Sequence, residues 1–328
     1  YLWDPAAPPA ADVEAVERLV APMRFEPDSR PLSLPASVSA KRARRRWPYG
    51  LAAAATIVVA TGWSLAEWRL SWPAGRAWTI ETRSSAEAGL LPVGSALVLA
   101  RSEVARINIA RIGTMEVGGE ARVTLQSTQG TRHRLNLDRG TVRVRTWAPP
   151  GSVVFRTPVG EVIDLGCEFD LTADADRSIV DVRSGWVQIE NNVDETLIPA
   201  GASSEMRVGR PPGVPVFQDA TRAFAAGVRA LEGGSVDPAA VRATLAEARA
   251  RDVYTLLLLI ERGSIGADAM AARAAELWPP PRDVTANGVA RGDRDGLWRW
   301  RDTLPLPPPK GWLRNWRDAL PDWLVGRR

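Results

Sequence analysis

The alternation of apolar and polar positions changes period along this chain, and the changes divide it. Near the N-terminus Val13, Val16, Leu19 and Val20 recur at helical spacing behind Asp12, a capping residue type, and Pro22 stops the run. A helix predicted over residues 12 to 21 is too short to be stable alone, so it either packs on a partner or serves as a tail that only sets topology. The Pro/Ser-rich stretch from Glu26 to Ser39 reads as a linker. Farther on the period falls to two. ARVTLQS (121–127), HRLNL (133–137), TVRVRTW (141–147), SVVFR (152–156), EVIDLGCEFDL (161–171), SIVDV (178–182) and WVQIE (186–190) alternate between glycine-marked turns. Residues 78–208 are therefore predicted to form a mainly β domain, a short-stranded solenoid-like or rolled sheet. An internal repeat supports stacking, because Leu137-Asp-Arg-Gly140-Thr-Val142 matches Val182-Arg-Ser-Gly185-Trp-Val187. From residue 218 the spacing becomes helical again, over 219–232, 238–249, 252–262 and 267–278, with Leu256 to Ile260 as a buried centre. The result is an α-helical C-terminal region, 218–328.

A different signal separates the linker from the first strands. From Trp47 to Ala66 no residue is charged, and at about 1.5 Å per residue such a stretch just crosses the roughly 30 Å hydrocarbon core of a bilayer. The segment 47–68 is predicted to be a single transmembrane helix in the lipid bilayer, with Trp47, Tyr49, Trp63 and Trp68 at its interfaces. Pro48, Gly50 and Gly62 weaken the hydropathy, so a buried soluble helix is the other reading. Lys41, Arg42, Arg44, Arg45 and Arg46 precede the segment. By the positive-inside rule they place the 1–46 segment in the cytoplasm and everything after the span outside.

Charge and composition narrow the chemistry. The formal net charge is +4, but residues 1–46 hold eight basic and six acidic side chains, while 71–328 hold 33 and 31. The excess is a local run with no basic stripe to follow a phosphate backbone, so no direct nucleic-acid binding is expected. With His133 and Cys167 as the sole His and Cys, there is no Cys/His zinc set, no internal disulfide and no His-based triad with a spare ligand. No catalytic residue, cofactor or metal is assigned.

The stretch from Leu137 to Met206 resembles the FecR domain. The resemblance rests on the G-x-V-x-V strand at Gly140, the T-P-x-G turn at Thr157, Pro158 and Gly160, and the G-C-E-F segment Gly166, Cys167, Glu168 and Phe169. It also includes V-x-S-G-x-V around Gly185 and I-P-A-G ending at Gly201. It implies a periplasmic sensory β-domain on a single-span inner-membrane protein, which relays an envelope signal to an extracytoplasmic-function sigma factor. Val13, Val16, Leu19 and Val20 would then be the sigma-factor contact, and a periplasmic protein or ligand of unknown identity the input. The cytoplasmic part is shorter than is usual in that family and the C-terminal third is helical, so an iron-uptake stimulus does not carry over. The helical tail DVYTLLLLIER…LWPPPRDVT also resembles tails behind FecR domains in envelope proteins.

Other residues carry competing readings. Treated as one strand, VIDLGCEFDL puts Asp164, Glu168 and Asp170 on one face, either a solvated face or, for Glu168 and Asp170, a hydrolase pair. Cys167 reads as core against a regulatory thiol, and His133, between Arg132 and Arg134, as surface against a pH sensor. Asp174 and Asp176 form one D-x-D turn that could hold calcium. Trp298, Trp300, Trp312, Trp316 and Trp323 either pack on the helical array or meet a partner or the membrane surface. The leading expectation is an anti-sigma-type regulator, not an enzyme. The alternative is a membrane-anchored envelope structural or binding protein with no sigma-factor partner.

Overall fold

The structure is a computed structural model and describes residues 11–21, 60–82, 89–234 and 237–307. The chain divides into two compact units, residues 1–58 and 59–328. In the first, helix α1 spans Ala11–Val20. It begins one residue before the expected cap, so Asp12 falls in its first turn. Lys41, Arg42, Arg44, Arg45, Arg46 and residues 47–59 of the predicted span lie outside the described residues.

The second unit opens with helical residues 60–70, here α2. Among the described residues no helix is long and apolar enough to cross a membrane. Fifteen strands follow: β1 (Trp78–Thr82), β2 (Gly89–Leu91), β3 (Ala96–Val98), β4 (Ala105–Ile109), β5 (Gly113–Val117), β6 (Arg122–Gln129), β7 (Arg132–Thr146), β8 (Val153–Thr157), β9 (Gly160–Asp164), β10 (Glu168–Ala173), β11 (Arg177–Ser184), β12 (Trp186–Glu190), β13 (Glu195–Pro199), β14 (Ala202–Arg207) and β15 (Val216–Phe217). They form one continuous sheet folded into two layers. Layer A runs β2-β1-β4-β5-β7-β10-β11-β14-β15, and layer B runs β3-β6-β7-β8-β9-β12-β13.

Strand β7 belongs to both layers, and its sequence explains how. Residues 132–139 pair with β6, and 140–146 with β5 and β10. The bend falls at Gly140, whose φ of 95° is open to glycine and strained for other residues. A Cβ there would overlap the Ala121 backbone. Because β7 ends in layer A, the 147–152 connection crosses back and lays β8 parallel to the first half of β7, His133 opposite Val153. All other pairings are antiparallel. This is a rolled sheet, and the offset repeat has a simple origin. At Gly140 the chain passes from layer B to layer A, and at Gly185 from layer A to layer B. The matched sequences are two corners.

Alternation fills the space between layers. Val142 and Val144 of β7 are buried with Phe169 and Leu171 of β10, and share one core with Leu135, Phe155 and Val187 from layer B. Phe155 and Phe169 pack edge to face at 6.1 Å between ring centres.

Among the described residues six helices follow: α3 (Arg222–Glu232), α4 (Pro238–Glu247), α5 (Val253–Glu261), α6 (Ala267–Leu277), α7 (Ala286–Ala290) and α8 (Arg294–Asp302). Helix α5 is buried on every side from Val253 to Ile260, as a helix apolar all round must be. It is fixed to the sheet at two points. The Tyr254 hydroxyl donates to the Leu197 carbonyl at 2.8 Å while its ring meets Trp186 edge-on, and Thr255 Oγ1 donates to the Pro215 carbonyl at 2.6 Å. Sheet and helices share one hydrophobic cluster.

Candidate functional site

The glycines of the FecR resemblance fall where the chain bends or turns. Thr157 closes the β8–β9 turn by donating its hydroxyl to the Gly160 carbonyl at 2.9 Å, with Pro158 exposed at the tip. Gly166 and Cys167 form the corner from β9 to β10, with Glu168 and Phe169 opening β10. Gly185 stacks on that corner, 3.0 Å separating a Cβ at Gly185 from the Gly166 carbonyl. Gly201 turns β13 into β14, its N–H bonded to the Val182 carbonyl at 2.8 Å.

A buried carboxylate holds the β9–β10 corner. Asp164 is fully buried, and its Oδ1 accepts from Gly166 N at 3.0 Å, Cys167 N at 2.9 Å and the Cys167 thiol at 2.6 Å. Its Oδ2 accepts from Thr146 Oγ1 at the end of β7. Burial pushes its pKa up while these donors pull it back. The sequence expectation of one strand face for Asp164, Glu168 and Asp170 is corrected here. The Gly166 corner splits the run into two strands and resets the phase, so Val162 and Asp164 face inward. Cys167 is in the core, as read.

Glu168 and Asp170 do share the outer face of layer A. Across the strands Glu81, Arg106, Glu116, Arg143, Asp170 and Asp181 stand in register, a row of largely alternating charge. Arg106 meets Glu116 at 2.8 Å, and Asp170 receives Arg143 at 2.7 Å and Arg183 at 2.5 Å. Partial burial works against ionisation of Asp170, but the bonds from Arg143 and Arg183 hold its pKa below the usual carboxylate range. So held, Asp170 ties three strands together and is poorly suited to passing a proton. Asp174 and Asp176 lie in the exposed β10–β11 turn, where Asp174 pairs with Arg177 at 3.4 Å. Among the described residues no group of three or more His, Cys, Asp or Glu is placed to hold a metal.

His133 is a second correction. It is 1% exposed, because strand alternation sends Arg132 and Arg134 outward and His133 inward with Leu135. Its Nδ1 lies 2.7 Å from Thr128 Oγ1, which also accepts from Trp78 Nε1, and its ring meets Trp78 edge-on at 5.6 Å. Burial lowers its pKa to about 4, against a smaller opposing pull from the Gly130 backbone.

Sequence reasoning missed the joint between α2 and the sheet. Helix α2 continues the uncharged stretch, and it ends against layer A through stacked cations. Arg111, in the β4–β5 turn, lies 3.9 Å from the Trp68 ring centre and 5.3 Å from that of Trp72, and donates to the Trp68 carbonyl at 2.7 Å. Arg69 covers Trp147 at 4.7 Å, and Arg76 covers Trp72 at 5.0 Å. Beyond α2, Gly130 N bonds the Trp72 carbonyl and Gly75 N the Thr128 carbonyl, at 2.7 and 3.1 Å. Most of α2 nonetheless stays bare: Trp63 is 73% exposed, Leu65 55% and Trp68 itself 53%. The spacing of Trp68 and Trp72, one helical turn apart, was the available signal, but nothing near them in sequence names Arg111.

Of the sigma-factor contact residues, Val16 and Val20 are exposed on α1 and Val13 is half-buried, while the side chain of Leu19 lies outside the description. In the tail, Trp300 is fully buried and bonds the Trp278 carbonyl at 3.0 Å, whereas Trp298 is exposed under Arg301. Trp312, Trp316 and Trp323 lie outside the described residues.

No family model matches the chain, and no curated protein matches it. Among solved structures it is similar to two crystal structures of a candidate anti-sigma factor from Parabacteroides distasonis. One has 14% identity and a TM-score of 0.34 over 40% of this chain and 64% of that one. The other has 14% identity and a TM-score of 0.33 over 40% and 63%. The chain thus spans somewhat under two thirds of the chains it matches.

Proposed function

We propose that the chain is a regulator of the anti-sigma type, anchored in the inner membrane by one span. Its FecR-like sheet and helices face the periplasm, and its N-terminal segment binds an extracytoplasmic-function sigma factor in the cytoplasm. The observation that carries this reading is the α2 joint. A helix at the end of the uncharged stretch is held to the β4–β5 turn by Arg111 on Trp68 and Trp72, which would give a displacement of layer A a route to α2. A sensory domain needs such a connection, whereas an envelope-binding domain on a tether has no use for one. The placement of the FecR-like motif glycines at corners and turns of the sheet supports the same reading. At the other end, the exposed Val16 and Val20 of α1 offer an apolar stripe to a partner. The role is one of contact and relay, without catalysis.

The test is capture of a sigma factor by residues 1–46 carrying their complete native N-terminus, with Val16→Asp and Val20→Asp as the control. Retention by the native segment and loss in the control is expected; no sigma factor on the native segment refutes the reading. A reporter fused after Gly75 should be active only outside the cytoplasm, and cytoplasmic activity would refute the topology.

A further inference from the structure

We infer that a cleft between the far edge of layer A and helix α3 is a docking site for an acidic, amphipathic polypeptide segment of another protein. The cleft encloses about 1270 Å³ between β14, β15, the 208–215 turn, α3 and the end of α5. Its accessible apolar surface comes from Ile179, Val216, Ala225, Ala226 and Ile265, with Val214, Phe217 and Leu259 buried beneath. Its walls carry Arg207, Arg210, Arg222, Arg229 and Arg262 against two acids, Glu205 and Glu232.

Both acids are already engaged. Glu205 pairs with Arg207 at 2.6 Å, while Glu232 accepts from Val214 N at 2.6 Å and lies 3.5 Å from Arg262. Among the described residues Arg210, Arg222 and Arg229 have no salt bridge. On α3 the cleft side reads Arg222, Ala225, Ala226, Arg229, a small-residue step between two cations about 10 Å apart along the helix. The site is also held in shape. Gly213 N bonds the Glu205 carbonyl at 2.8 Å, Ser204 Oγ bonds the Gly213 carbonyl at 2.6 Å, and Glu232 ties the turn to α3.

Charge complementarity selects the occupant. A segment with carboxylates on its flanks and apolar side chains between them satisfies the three cations and covers the apolar surface together; a polyphosphate or anionic glycan would leave Val216 and Ile265 in water. The chain's own residues 22–59 carry seven basic and two acidic side chains, and 308–328 carry five and two, so like charge disfavours them. Residues 1–21 are acidic, but the topology proposed above puts them across the membrane. The choice of a partner over that segment rests on the topology; the character of the cleft does not.

The experiment uses the full chain in nanodiscs and a fluorescein-labelled peptide of Glu and Leu at amphipathic helical spacing, read by anisotropy. Comparators are the same peptide with Lys for Glu, a peptide of residues 1–21, and short-chain polyphosphate. Saturable binding of the Glu/Leu peptide is expected, weakened at least about tenfold by Arg222→Glu with Arg229→Glu. The Lys peptide should not bind. Because both positions are exposed, the variant's melting temperature should stay within about 2 °C of the native protein; a parallel Arg222→Gln, Arg229→Gln variant, weaker by a smaller factor, separates charge from misfolding. Equal binding of the Lys peptide, no effect of the substitutions, tighter binding of polyphosphate or tighter binding of 1–21 would each overturn the proposal. Because none of these arms reads sigma-factor capture, failure here is distinguishable from failure of the function proposed above.

Discussion

Replacing Gly140 by alanine should damage the fold more than any comparable change at an exposed turn glycine, and Gly151 provides the comparison. Both have positive φ, 95° and 76°, and for an L-residue that conformation costs roughly 1–2 kcal/mol. The surroundings differ. A Cβ at Gly151 has nothing within 4 Å, whereas one at Gly140 overlaps Ala121 Cα and comes within 2.6 Å of Ala121 Cβ and 2.9 Å of its nitrogen. Those are backbone and near-backbone atoms at the head of β6, so relief requires β6 to move away from β7 just where β7 changes layers. Overpacking of that kind adds about 1–3 kcal/mol. Urea unfolding, followed by fluorescence of the buried Trp78 and Trp300, should therefore show Gly140→Ala losing about 1–3 kcal/mol more than Gly151→Ala. In melting temperature this is about 2–4 °C per kcal/mol for a unit of this size. Equal losses at the two positions would refute the claim that Gly140 is the hinge on which the sheet folds over.

Three further outcomes follow from the buried polar groups and the α2 joint. His133 is held neutral with a pKa lowered to about 4, so the unfolded chain binds a proton that the folded one refuses: stability present above pH 6.5 falls by about 3 kcal/mol as pH drops to 4. His133→Leu should flatten that slope in urea titrations across the window, and an unchanged slope would locate the acid sensitivity elsewhere. Asp164→Asn turns one acceptor oxygen into a donor facing Thr146, Gly166 and Cys167, and a loss of about 3 kcal/mol is expected; a variant as stable as the native protein would mean that the corner does not depend on the carboxylate. Arg111→Ala removes the cation from between Trp68 and Trp72 at a cost of about 1–2 kcal/mol. Faster amide exchange confined to residues near 68–75 would be the signature, and uniform exchange across the sheet would contradict it.

Period two made most of the strands legible in the sequence, and where the reading failed, a longer-range constraint had overruled it. HRLNL and TVRVRTW are one strand, β7, because Gly140 bends the chain without ending it. EVIDLGCEFDL is two strands because Gly166 does end it, and the phase reset there is what buries Asp164. His133 was readable and was misjudged: its arginine neighbours suggested surface, but alternation with Leu135 and Leu137 already placed it inside. Helix α8 gave little apolar signal, only Leu297 and Trp300 being buried along with Gly296. Its start is set by Asp293, which accepts from Gly296 N at 2.9 Å. The α2 joint and the cleft were beyond reach. Arg111 is far from Trp68 in sequence, and Arg210 meets Arg222 and Arg229 only because β15 and α3 return to the same edge of layer A.

The joint and the cleft lie on the same layer, which allows a sharper test than either gives alone. From β5, beside Arg111, to β14, at the cleft, the strand order is β5-β7-β10-β11-β14, about 19 Å at roughly 4.8 Å per strand. Arg143 and Arg183 grip Asp170 across the middle of that path, so the intervening strands are tied by side chains as well as by backbone. A shared layer by itself demonstrates no communication. Linkage supplies the criterion: if filling the cleft strengthens the α2 joint, strengthening or weakening the joint must alter affinity in the cleft by the same factor. The Glu/Leu peptide should then slow amide exchange at residues 71–75, and Arg111→Ala should weaken the peptide although it touches no part of the cleft. Asp170→Asn should shrink both effects together. Protection without the reciprocal loss of affinity would break the cycle, and the cleft would then be a docking site with no line to the helix.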